Sequence, residues 1–139
     1  MAFQPDWIIH YVQGHTCDIC NAHNEEYLGF YGFANIHTHG LEKYNHPEIC
    51  IPLDIGGDVA VHLLNTLGYR IAIANERFQE GEDHTVLAGN YTARFVKFDM
   101  DDKLYLILPD VNNRLPGDIQ CESPYSQQLF YAEIIHNDY

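Results

Sequence analysis

Apolar residues run or alternate over short stretches along most of this chain, and only once does their spacing change to that of a helix. Trp7-Ile8-Ile9-His10-Tyr11-Val12 is rich in aromatic and β-branched residues and ends before Gly14, which predicts a first strand. Tyr27 to Ile36 is too aromatic and too punctuated by Gly29 and Gly32 for a helix, so it predicts a strand ending at His37. Ile49-Cys50-Ile51-Pro52-Leu53 predicts a further strand, with Pro52 placing its far end at an edge or an exit. Asp58 then caps an expected helix whose apolar face is Val59, Leu63 and Leu67, and Gly68 stands where a left-handed C-terminal cap belongs.

Beyond Gly68, Tyr69 to Ile73 alternates as a half-buried strand would, and Glu76 to Asp83 reads as a charged connection. Tyr91 to Phe98 and Lys103 to Leu108 are strands separated by Asp99-Met100-Asp101-Asp102, a hairpin in which Leu104 to Leu108 should be central. Pro109 to Gly117 is dense in Pro, Asn and Gly and predicts a surface loop, while 124–131 is compatible with a short helix or a last edge strand. The expectation is one α+β domain over 1–139, with a mainly antiparallel sheet of about five or six strands and one main helix packed on it.

Charge narrows the function classes. Seven Lys plus Arg against twenty Asp plus Glu give a formal charge of −13, with no basic stripe to neutralise phosphates. Nucleic acid and anionic membranes are therefore unfavourable partners, and a basic protein is the favourable one. No apolar run approaches the ~18 residues that span a bilayer, and four Cys do not make a small disulfide scaffold. A reducing cytoplasm is the expected compartment.

Cys17-x-x-Cys20 carries the sharpest chemistry, with His15 and His23 outside it and His37-Thr38-His39 about twenty residues on. Thiolate and imidazole are the preferred zinc donors, and the two-residue period of a strand puts His37 and His39 on one face. Cys17, Cys20, His37 and His39 thus form a candidate zinc site, in which His15 or His23 could replace a strand His. A redox role for the C-x-x-C is weaker, because no apolar helical pattern follows it. The metal reading competes with a hydrogen-bonded His turn beside two reduced loop thiols. His46 and Glu48, just past the His-x-His turn, and Asp110 with Arg114 in the Pro-rich loop are candidate polar binding residues; the second pair also fits a loop brace.

Several pieces, in order, resemble the bacterial family known as domain of unknown function 4262. They are the turn His37-Thr-His-Gly-Leu41, the pair Pro47-Glu48, Leu63-Leu-Asn65, Glu76-Arg-Phe-x-x-Gly81 and Pro109-Asp-x-x-x-Arg-x-Pro116. The resemblance covers roughly residues 28–131 and implies a small cytoplasmic bacterial protein with no activity attached to it. It departs from the family's pattern at Gly117, where an aromatic is usual, and the family does not imply the two His of the turn. Residues and resemblance together lead to an acidic, non-enzymatic protein-binding module of inhibitor or immunity type, with a structural zinc site. The alternative is a small zinc-dependent hydrolase built on His37, His39 and His46.

Overall fold

The computed structural model describes residues 6–12, 16–17, 22–23, 32–99 and 101–138, with the backbone alone given for Val12, Thr16, Cys17, Ala22, His23 and Asp138. Its core is a six-stranded sheet ordered β1 (Ile8–Val12), β4 (Phe33–His39), β5 (Glu48–Leu53), β8 (Lys103–Ile107), β7 (Ala93–Val96) and β6 (Gly81–Asp83). Two short strands, β2 (Thr16–Cys17) and β3 (Ala22–His23), pair separately. Only the β5–β8 pairing is parallel; the other four ladders of the large sheet are antiparallel. This is the α+β domain that the patterning predicts.

Helix α1 (Gly57–Ala72) contacts β1 and β4, and helix α2 (Gln128–Asp138) contacts β5, β4 and β8. The second helix resolves the choice left open for 124–131: a 3-10 turn at Tyr125–Gln127 leads into α2, whose Tyr131, Ala132, Ile134 and Ile135 are buried. The central position of β8 follows from its composition, since Leu104, Tyr105, Leu106 and Ile107 are all buried between β5 and β7. Pro52 lies in the second half of β5, which pairs with β4 but not with β8, so the far end of the strand is an edge on that side, as expected. Its missing amide is tolerated because the β4–β5 register shifts between Phe33 and Ile36, and the β8 ladder pairs only Glu48, Ile49 and Cys50 of β5.

Four local expectations are corrected. Tyr69 to Ile73 is not a strand, because α1 runs on through Gly68 to Ala72. Gly68 is not a cap but a packing site: a Cβ there would lie 2.4 Å from Cζ2 of Trp7. The apolar face of α1 is also turned by one residue, with Ala60, Leu64, Leu67 and Ile71 buried, Leu63 half-buried and Val59 57% exposed. Finally, Gly81–Asp83, read as a connection, forms the edge strand β6 against β7.

Trp7 is what fastens β1 to this frame. Its ring fills the niche over Gly68, its Nε1 donates to Asn65 Oδ1 at 2.9 Å, and it meets Tyr69 edge-on at 5.5 Å. Gly40, at φ 116°, belongs to the same device, since a Cβ there would come within 3.0 Å of the Trp7 Cα. The edge strand is therefore held in a defined register from its first residues.

Candidate metal centre

In the β1–β4 ladder the Cα partner of His10 is His37, and on the other side of β4 the partner of His37 is Cys50. Directly opposed residues share a face, and so do residues two apart on one strand, so His39 and Asn35 join them. The outcome is a three-imidazole cluster. His10, His37 and His39 each offer a ring nitrogen, and these atoms all lie within 4.8 Å of one another. Ring centroids are 4.1 Å apart for His10 and His39, 4.9 Å for His37 and His39, and 5.3 Å for His10 and His37. Three nitrogens on one tetrahedral zinc stand about 3.3 Å apart at Zn–N of about 2.0–2.1 Å, so closure requires shifts of up to about 1.5 Å.

His37 is the buried member, 1% exposed, while His10 and His39 are half-buried. Its Nδ1 lies 2.8 Å from Asn35 Oδ1, which accepts the Nδ1–H and leaves Nε2 as the ligand atom. An outer oxygen that fixes the tautomer in this way is the usual companion of a metal-bound imidazole. Burial, followed by the charges of His39, His10 and Lys103, pushes the His37 pKa down to about 3, and burial lowers that of His10. His37 is therefore a neutral donor at every physiological pH. Cys50 is not a competing ligand: complete burial pushes its thiol up to about 12, and the protonated Sγ donates to Asn35 Oδ1 at 3.5 Å.

The other residues singled out in the sequence are placed differently. The Cys20 side of the C-x-x-C lies outside the described residues, as do His15 and the side chains of Cys17 and His23. His46 is not part of the three-ring cluster. It is 3% exposed, its Nδ1 donates to the Pro47 carbonyl at 2.8 Å and its Nε2 accepts the Phe78 N–H at 3.0 Å. Burial lowers its pKa, so this neutral ring is a brace between the start of β5 and the chain after α1.

Glu48 is a brace too. Its carboxylate accepts Thr38 Oγ1–H at 2.8 Å and the amides of Gly40 and Leu41 at 3.0 and 3.2 Å, fixing the turn directly after His39. Asp110, 1% exposed, accepts the amides of Asn112, Arg114 and Glu122 at 2.9–3.0 Å and the Arg114 Nε–H at 3.3 Å. Burial alone would raise its pKa, but the three amides and the guanidinium outweigh it and hold the carboxyl below its usual range. A depressed carboxylate pKa contributes stability above its unfolded value and loses it as pH falls. Asp110→Asn should therefore lower the melting temperature at pH 7 and reduce its fall below pH 4, while Glu82→Gln, at an exposed 3.8 Å pair, should do neither. Thermal unfolding of the two variants checks this.

His10 is the site residue that sequence reasoning missed. Nothing local marks it except a polar ring in an otherwise apolar strand, and only the pairing of β1 with β4 brings it to His37. No family model matches the chain. Searches of curated proteins and of solved structures likewise return no match. Among the described residues, no helix is long and apolar enough to cross a membrane.

Proposed function

We propose that this chain is a metal-binding, non-enzymatic protein module in which His10, His37 and His39 hold one divalent transition metal. The observation that carries the reading is the convergence of three ring nitrogens within 4.8 Å, backed by the tautomer-setting bond from His37 to Asn35. Three neutral imidazoles select zinc and its neighbours over calcium or magnesium, which prefer oxygen donors. Cys17 and Cys20 remain the candidate donors for a fourth position. The ion would cross-link edge strand β1 to β4, a structural role.

Two observations favour this over the hydrolase alternative. His46, the third ligand of that alternative, has both ring nitrogens engaged, and Glu48, the nearest candidate base in sequence, accepts three hydrogen bonds within the fold. The formal charge of −13 supports a basic protein as partner. We place the chain, on its motifs, beside the domain of unknown function 4262 family, in a bacterial cytoplasm.

The test is zinc content of untagged protein followed by competition titration. One equivalent should be retained, and Asn35→Ala should weaken binding by about 10- to 100-fold by releasing the His37 ring. His10→Ala should weaken it further. Protein that purifies metal-free and takes up no zinc on titration contradicts the reading.

A further inference from the structure

Seven basic side chains face twenty acidic ones in this chain. Lys43, Arg70, Arg94 and Arg114 each lie 2.8–3.8 Å from a carboxylate oxygen. Arg77 and Lys97 show no such pair among the described residues, and both line one groove of about 440 Å³, together with Asn45, His46, Gln79 and Glu80. Of its lining, His46 already serves as a brace, with both ring nitrogens engaged.

Among the described residues, Arg77 is held in place by carbonyl oxygens. Its Nη2 donates to the Tyr44 carbonyl at 2.6 Å, and its Nη1 donates to the carbonyls of Glu76 at 2.8 Å and Ile71 at 3.4 Å. A guanidinium has five N–H groups, of which these carbonyls take at most three, and its planar donors suit a carboxylate. Lys97 adds a second positive charge to the same wall.

The groove also carries negative charge. Glu80 lines it, and an adjoining lobe of about 280 Å³, which shares Asn45, His46, Pro47 and Lys97, is lined by Glu42 and Asp102. A simple anion would meet these carboxylates as well as the two cations, whereas a molecule bearing both signs can match both walls. We propose that this groove binds a small zwitterion of the α-amino acid class, its carboxylate on Arg77 and Lys97 and its ammonium toward Glu80. The site is independent of the metal centre.

Calorimetric titration of the full chain at physiological salt tests it, with glycine, alanine, glutamate, lysine and phenylalanine as probes and propionate and inorganic phosphate as controls. At least one amino acid should bind saturably, with propionate and phosphate at least about tenfold weaker, a difference of about 1.4 kcal/mol. Arg77→Lys keeps the charge but loses the fork, and should weaken amino-acid binding by about tenfold or more. Because Arg77 also ties three carbonyls, Lys97→Gln serves as a second variant that disturbs no side-chain bond among the described residues, and it too should weaken binding. No saturation up to about 10 mM, equal binding of propionate or phosphate, or unchanged affinity in Lys97→Gln would each overturn the proposal.

Discussion

Metal-free protein should lose about 2 to 3 kcal/mol of stability between pH 6.5 and about 4.5 through His37 alone, at up to about 1.4 kcal/mol per pH unit. The His37 pKa falls from 6.5 to about 3 on folding because burial penalises its charged form. Below pH 6.5 the unfolded chain takes up a proton that the folded chain refuses, so stability is fully present above 6.5 and drains away as pH falls toward 3. His10 and His46, also depressed by burial, act in the same direction. Denaturant unfolding at a series of pH values in the presence of a chelator measures the slope before most carboxylates titrate. His37→Gln should flatten it, and a wild-type curve already flat from pH 6.5 to 4.5 would contradict a buried neutral imidazole.

Trp7→Ala should cost about 3 to 5 kcal/mol, the range for deleting a buried large aromatic. The ring is 4% exposed, occupies the niche left by Gly68, donates to Asn65, and packs edge-on against Tyr69 and Tyr44. Gly68→Ala should cost about 1 to 3 kcal/mol because its Cβ would fall 2.4 Å from the indole. In the Trp7→Ala background the same substitution should cost little, giving a coupling of about 1 kcal/mol or more in a double-mutant cycle. Additive losses would mean that Gly68 is required for some reason other than Trp7. The site depends on this contact, since Trp7 anchors the strand that presents His10.

Most strands were legible because their signal is local. Ile8 to Val12, Ile49 to Leu53, Ala93 to Val96 and Lys103 to Ile107 all carry β-branched or aromatic runs bounded by turn residues. The helix was legible in period but not in phase, because adjacent Leu63 and Leu64 fit two faces and only the packing of Ala60, Leu64 and Ile71 decides between them. Gly68 misled for a related reason. A glycine after an apolar helical stretch reads as a cap, and its actual reason, the indole of Trp7 just ahead of β1, is a tertiary contact.

The candidate site was half legible. His37 and His39 share a face by strand period alone, which sequence supplies, but His10 joins them through a register that only the folded sheet defines. His46 and Glu48 illustrate the converse: polar residues beside a turn suggest chemistry, yet their hydrogen bonds serve the turn itself. A saturated hydrogen-bond inventory is invisible in composition.

X-ray absorption at the zinc edge of protein loaded with one equivalent of zinc reads the ligand set itself. The expected inner shell contains three nitrogens at about 2.0–2.1 Å, with the scattering pattern of imidazole, and loses one of them in His10→Ala. Sulfur at about 2.3 Å beside those nitrogens would add Cys17 or Cys20 as the fourth donor. A shell of oxygens alone, or a His10→Ala spectrum identical to that of the parent protein, would contradict it.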